Sequence, residues 1–102
     1  MKQQEISQFY DEFVQRQLKI GANERLISLY KRLLHLGLKE DSRVLELGCG
    51  VGIFTKLLGK KISSGLIEAV DLSEKSIAVS REEMKAKKNV FLSVGDVVKY
   101  QP

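Results

Sequence analysis

Residues 44–52, with the sequence VLELGCGVG, constrain the fold more than any other part of the chain. A short apolar run that contains one carboxylate, Glu46, leads directly into glycines at alternate positions, Gly48, Gly50 and Gly52. A strand that breaks into such a loop before a helix brings bare backbone close to a small ligand. Because Glu46 would repel a pyrophosphate in this turn, the loop favours a cationic ligand.

The spacing of apolar residues predicts helices and strands in alternation. Amphipathic helices are predicted over residues 3–18 and from an N-cap at Asn23 to a C-terminal cap at Gly37. Strands are predicted at residues 43–47, 66–70 and 90–94, and a helix is predicted after each of the first two strands. The helix after the second strand is capped by Ser73 and has Ile77, Ala78, Arg81 and Met84 at helical spacing. This order favours an α/β fold with a parallel sheet and right-handed crossover connections.

The length of 102 residues allows one domain at most. An open parallel sheet normally continues on both sides of its first strand, and this order supplies strands on one side only. The free edge of the first strand is expected to pair with a fourth strand that the sequence lacks, and it favours self-association. We therefore expect residues 1–102 to form a single, incomplete domain of a longer protein. It divides into a helical cap over residues 1–40 and a βαβαβ half over residues 43–102.

An acidic residue lies at or just after the end of each predicted strand, at Glu46, Asp71 and Asp96. Parallel strands end at the same edge of a sheet, so the three carboxylates are expected to converge on one crevice. Asp71 follows the glycines by about 20 residues, the spacing at which a carboxylate binds ribose hydroxyls. Asp96 is placed to accept a hydrogen bond from an adenine amino group.

Three motifs in order resemble those of the class I S-adenosylmethionine-dependent methyltransferases. They are ELGCGVG at residues 46–52, VDLS at 70–73 and GDV at 95–97. The resemblance spans residues 43–98, more than half of the chain. It implies a Rossmann-like sheet with helices on both faces, S-adenosylmethionine as cofactor and transfer of its methyl group to an acceptor.

The resemblance also assigns cofactor contacts to individual residues. The methionine part of the cofactor passes over the loop that contains Glu46, Gly48, Cys49, Gly50 and Gly52. Asp71 binds the ribose, Leu72 lies against the adenine, and Asp96 reads the adenine amino group. Val97, the next residue, belongs to the same cofactor site. In the family the general base or acceptor-orienting group normally lies after the fourth strand, so no catalytic residue is assigned. The 102 residues alone lack this acceptor half and are expected to be inactive. The acceptor is unidentified; a small molecule is favoured, and RNA or protein stays open.

Two other functions are compatible with parts of this pattern. An NAD-dependent oxidoreductase shares the strand, the loop and the acid, but its G-x-G-x-x-G fingerprint needs glycine where this chain has Ile53. A module that only binds the cofactor, or only a partner, is the second alternative. For the 102 residues alone, that alternative is at least as well supported as turnover.

Charge and composition indicate which partners, cellular location and metal sites to expect for this protein. The net charge of +4 comes with lysine runs at residues 60–61 and 85–88, both at predicted helix ends, where cations are favoured. The chain has no stripe of arginine and aromatic residues typical of nucleic-acid binding. With one cysteine and no long apolar run, we expect a cytoplasmic protein without a membrane segment or an internal disulfide. No His or Cys cluster predicts a metal site, His35 is expected at the surface, and Cys49 is expected to pack rather than react.

Overall fold

A computed structural model describes residues 24–99 of the chain. The elements in chain order are α1 (Glu24–His35), β1 (Arg43–Leu47), α2 (Ile53–Lys61), β2 (Leu66–Asp71), α3 (Glu74–Glu83) and β3 (Val90–Val94). The predicted strands are confirmed, and β2 extends one residue further than predicted, to Asp71. The predicted helix over residues 3–18 and the predicted N-cap Asn23 lie outside the described residues.

The three strands form one parallel sheet in the order β1-β2-β3. Glu46 aligns with Ala69 in β2, and Ala69 aligns with Leu92 in β3. All three strands therefore end at the same edge, with Glu46 and Asp71 on neighbouring strands. The α/β prediction is confirmed, and β1 lies at the edge of the sheet, as the strand order predicted.

Two predicted capping residues, Gly37 after α1 and Ser73 before α3, cap their helices in the structure. After α1, Gly37 has a φ of +115°. Its N–H donates to the carbonyl of Leu34, and the N–H of Leu38 donates to that of Leu33, which is a Schellman motif. At the start of α3, the Ser73 hydroxyl accepts a hydrogen bond from the N–H of Ser76 at 3.1 Å. Both caps fix where the chain turns towards the sheet.

Both hydrophobic clusters of the described residues lie on one face of the sheet. The strand residues in these clusters are Val44, Ile67, Ala69, Val90 and Leu92, and they pack with residues of the three described helices, namely Leu33 of α1, Phe54 and Leu58 of α2 and Ile77 of α3. On the opposite face Leu45, Leu47 and Phe91 are 40%, 50% and 57% exposed, whereas Val70 is fully buried. Helices on that second face therefore stay a prediction. Within residues 24–99, no helix is long and apolar enough to cross a membrane.

The buried face of α3 includes small polar residues. Of the four residues at helical spacing that the sequence places here, Ile77 and the C-cap Met84 are buried, and Ala78 and Arg81 are exposed. Two serines of the helix, Ser76 and Ser80, are 6% and 0% exposed. Apolar periodicity cannot find such a face, because it counts serine as polar.

Candidate functional site

The glycine loop after β1 has a left-handed backbone at every second residue. Gly48, Gly50 and Gly52 have φ values of +77°, +57° and +88°. The residues between them, Cys49 and Val51, are 7% and 3% exposed. The loop therefore anchors its side chains in the core and leaves a nearly bare backbone on its other side, which only glycine permits at little cost.

The loop is fixed to the end of β2 by hydrogen bonds. The N–H groups of Gly48 and Cys49 both donate to the carbonyl of Val70, at 2.7 and 3.1 Å. The N–H of Gly50 donates to Oδ1 of Asp71 at 3.2 Å. The first and second motifs thus form one structural unit, although about 20 residues separate them in sequence.

A cavity of about 470 Å³ opens beside the loop. It is lined by the end of β1, the glycine loop, the start of α2 and two residues of α1, Leu26 and Leu29. Gly48 belongs to this lining, and a Cβ added there would meet no atom within 4 Å. A ligand can therefore approach the backbone at Gly48. The sequence showed Leu26 and Leu29 only as part of an apolar helix face, with no signal for a site.

The carboxyl group of Glu46 lies between β1 and α2. Oγ1 of Thr55, a fully buried residue, donates a hydrogen bond to Oε1 of Glu46 at 2.5 Å. Burial raises the pKa of Glu46 to about 7, although the Thr55 hydrogen bond favours the charged form. Glu46 is therefore close to its titration point at neutral pH, where a nearby cation would favour the carboxylate.

Replacing Glu46 by glutamine should change how stability depends on pH. Between about pH 4.5 and 7 the folded protein keeps a proton that the unfolded chain has lost. The free energy of unfolding therefore falls as pH rises through this range, by up to about 3 kcal/mol. Glu46→Gln removes this titration and keeps an acceptor for Thr55, so relative to wild type the variant should gain stability with rising pH.

Urea unfolding at about pH 5 and about pH 8, without ligand, measures this difference. Glu74→Gln is the matched control, because Glu74 is exposed at the start of α3. This surface substitution should change the free energy of unfolding by no more than about 0.5 kcal/mol at either pH. A pH curve for Glu46→Gln that runs parallel to that of the wild type would contradict the raised pKa of Glu46.

Asp71 connects three parts of the site. Its Oδ1 accepts from the N–H of Gly50, and its Oδ2 accepts from the N–H of Ser73 at 3.0 Å. Its backbone carbonyl accepts from the N–H of Gly95, in the third motif, at 3.0 Å. Each carboxylate oxygen can accept more than one hydrogen bond, so Asp71 retains capacity for ligand hydroxyls. The next residue, Leu72, is 73% exposed.

Asp96, the acidic residue of the third motif, makes hydrogen bonds only within its own turn among the described residues. The Asp96 side chain is exposed, and its Oδ1 accepts a hydrogen bond from the N–H of Val98 at 3.0 Å. The backbone carbonyl of Asp96 accepts a hydrogen bond from the N–H of Lys99. These are the contacts of a residue that starts a turn. The neighbouring Val97 is half-buried. Asp96 shares the edge of the sheet with the other two acids, but its carboxylate stabilises its own turn.

The thiol of Cys49 lies near both Glu46 and Asp71. Burial and these two carboxylates raise the pKa of Cys49 to about 12. A thiol with such a pKa is a poor nucleophile at neutral pH. Cys49 packs against Ala69 and Ile77 in the core, as the sequence predicted.

The chain is similar in sequence to several methyltransferases. A family model described as "Methyltransferase domain" matches residues 44–102. The ribosomal RNA small subunit methyltransferase A of Syntrophus aciditrophicus is 32% identical over 74 residues, and the trans-aconitate 2-methyltransferase of Mycobacterium ulcerans is 31% identical over 81 residues. The matches cover 72% and 79% of the present chain.

A similar fold occurs in a solved structure, the SAM dependent methyltransferase from Aquifex aeolicus. It is 27% identical, has a TM-score of 0.66 and covers 81% of the present chain. The chain spans 47% of that protein and only 26% and 29% of the two relatives above. It therefore corresponds to less than half the length of each.

Proposed function

Since this chain belongs to the class I S-adenosylmethionine-dependent methyltransferases, we propose that its glycine loop and the ends of its strands bind S-adenosylmethionine. The protein then transfers the methyl group of this cofactor to an acceptor. The described residues supply the cofactor site within a single domain, of which residues 1–40 form the cap and residues 43–102 the βαβαβ half.

The main support for binding of S-adenosylmethionine is the charge of the residues that line the cavity. Of the eleven described residues that line it, Glu46 alone has a carboxyl group, and none is basic. A dinucleotide pyrophosphate would face this carboxylate without a basic partner, whereas a sulfonium and an ammonium group would be attracted to it. The open space at Gly48 fits the same ligand, because it lets the cofactor lie against the backbone.

Each site residue has a role in this proposal. The backbone of Gly48, Cys49, Gly50 and Gly52 holds the methionine part of the cofactor next to Glu46. Asp71 accepts hydrogen bonds from the ribose hydroxyls. The exposed side chain of Leu72 packs against the adenine, and Asp96 with Val97 binds its amino edge.

The bound cofactor supplies a methyl group on a positively charged sulfur, which keeps the electron pair of the broken C–S bond when an acceptor lone pair attacks. The residues of this chain act by positioning. The glycine loop fixes one end of the cofactor and Asp71 fixes the ribose, so that the methyl group is held in one place. No described residue is assigned to proton removal from the acceptor.

A small molecule is the acceptor class that we favour. The trans-aconitate 2-methyltransferases of several mycobacteria are among the relatives, which supports this class. The sequence also has no arginine-rich stripe that would track a nucleic-acid backbone. The proposal includes a cytoplasmic location, in keeping with the single, buried Cys49. It also includes self-association through the edge of β1 that pairs with no other strand within residues 24–99.

Ligand titration of the purified protein tests the proposal. We expect saturable binding of S-adenosylmethionine and of its demethylated product, followed by calorimetry, and no binding of NAD⁺ under the same conditions. NAD⁺ is the matched control because it shares the adenosine but adds a pyrophosphate. Preference for NAD⁺, or no binding of either sulfur compound, would refute the proposed function. Transfer of labelled methyl to small carboxylic acids, but not to RNA, by a longer protein that contains the acceptor half would support the acceptor class.

The alternative of an NAD-dependent oxidoreductase has less support. Ile53, at the position of the third fingerprint glycine, is the first residue of α2 and lines the cavity. Its side chain takes up space where that fingerprint needs close packing of a glycine. The alternative of a module that only binds the cofactor predicts the same titration without methyl transfer.

A further inference from the structure

The hydroxyl group of Ser80 makes an unusual contact for a serine inside a helix. Such a serine normally bonds to the carbonyl four residues earlier or faces solvent. Ser80 is fully buried, and its Oγ instead donates to the carbonyl of Gly50, 30 residues away in sequence, at 2.7 Å. The contact joins α3 to the centre of the glycine loop.

Ser80 completes a pair of anchors on Gly50. The N–H of Gly50 donates to Asp71 Oδ1, and its carbonyl accepts from Ser80 Oγ. The two peptide units that flank Gly50 are therefore each held by a side chain. Glycine has the largest conformational freedom of any residue, so a loop with this residue at its centre needs such anchors to keep one shape.

Ser80 also sets how closely α3 approaches the loop. A Cβ added at Gly52 would lie 3.0 Å from Oγ and 3.3 Å from Cβ of Ser80. Gly52 is the residue directly before α2. Ser80 thus lies against both the centre of the loop and the beginning of the next helix.

We propose that Ser80 is a positioning residue for the cofactor, because its hydroxyl holds the glycine loop in the shape that binds the methionine part. This inference rests on the proposed function. Without the Ser80 hydroxyl, the Gly50 carbonyl keeps only the longer and weaker contact from the Cys49 thiol, at 3.8 Å, and the following peptide unit is held less tightly. The loop then has to be ordered when the cofactor binds, and this ordering lowers the affinity.

Ser80→Ala tests the proposal, with Ser76→Ala as its matched control. Ser76 lies one turn earlier on the same buried face of α3, and its described hydrogen bond is made by its backbone N–H, not by its side chain. Ser80→Ala should weaken binding of S-adenosylmethionine roughly tenfold, the loss expected for one hydrogen bond within a preorganised site. Ser76→Ala should stay within about twofold of the wild type.

Two further readouts separate positioning from a general loss of stability. The ¹³C shift of the Gly50 carbonyl should move upfield in Ser80→Ala and stay unchanged in Ser76→Ala. The urea midpoint shows whether both variants remain folded at the temperature of the titration. If Ser80→Ala does not fold, Ser80→Cys replaces it, because a thiol is a weaker donor of similar size and should also weaken binding.

Wild-type affinity in a folded Ser80 variant would overturn the proposal, and so would an equal loss in Ser76→Ala. The proposed function fails in a different way, since the wild-type protein itself would then not bind S-adenosylmethionine. A wild type that binds and a Ser80 variant that binds equally well would leave the cofactor site intact and refute only the role of Ser80.

Discussion

Replacing Asp71 by alanine should weaken binding of S-adenosylmethionine by about 1 to 3 kcal/mol, which is roughly 5- to 150-fold. The variant removes the proposed acceptor of the ribose hydroxyls. It also removes the acceptor of the N–H groups of Gly50 and Ser73, at 3.2 and 3.0 Å. The glycine loop and the start of α3 then lose a shared anchor, so ligand contact and preorganisation are lost together.

Titration calorimetry of the variant, with the urea midpoint as a check on folding, measures this effect. Glu74→Ala is the matched control, because it removes an acidic side chain three residues later that is exposed. It should bind the cofactor within about twofold of the wild type. Asp71→Asn keeps one acceptor oxygen and should fall between the two. If Asp71→Ala binds like the wild type, the ribose lies elsewhere.

Replacing Gly65 by alanine should lower the free energy of unfolding by about 3 kcal/mol or more. A Cβ at this position would lie 1.9 Å from the carbonyl oxygen of Ser42 and 2.7 Å from the carbonyl carbon of Asp41. Both are backbone atoms, and the Ser42 carbonyl accepts from the N–H of Leu66 at 3.0 Å, at the start of β2. The clash therefore cannot be relieved by a change of rotamer.

The turn around Gly65 also has little freedom to move. The N–H groups of Ser63, Ser64 and Gly65 all donate to the carbonyl of Glu40 at 3.0 Å. On the other side, Nδ2 of Asn89 donates to the Gly65 carbonyl at 3.3 Å. A shift of this turn would break several hydrogen bonds at once.

Gly59→Ala is the matched control for Gly65→Ala in urea unfolding. A Cβ at Gly59 would meet the terminal Cε of Met84 at 3.3 Å and that of Lys87 at 3.8 Å, which are flexible side-chain ends. Gly59 lies within α2, where alanine is favoured over glycine by about 1 kcal/mol. This variant should be as stable as the wild type or more so. A similar loss in both variants would contradict the clash at Gly65.

The sequence predicted the elements well where their signals are local. The strands at residues 43–47 and 90–94 were predicted with their observed bounds, and Gly37 and Ser73 cap their helices as predicted. These signals depend on apolar runs and on backbone groups that a neighbouring residue satisfies. They need no knowledge of distant contacts.

The sequence did not predict the contacts between elements that are distant along the chain. Thr55 and Ser80 are fully buried polar residues that bond to Glu46 and to the carbonyl of Gly50. A pattern of apolar residues assigns neither to the core, because the partner of each hydroxyl lies on another element. Leu26 and Leu29 likewise became part of the cavity only through the path of α1.

The sequence by itself determined the α/β order, the glycine loop and the acids at the strand ends, because motif spacing and alternating elements specify them. Tertiary structure alone decided which atoms hold the loop: the Val70 carbonyl, the Asp71 carboxylate and the Ser80 hydroxyl. It also decided that Glu46 is buried enough to titrate near pH 7. Burial and hydrogen-bond partners depend on how separate elements pack, and that packing is a property of the folded chain rather than of any local motif.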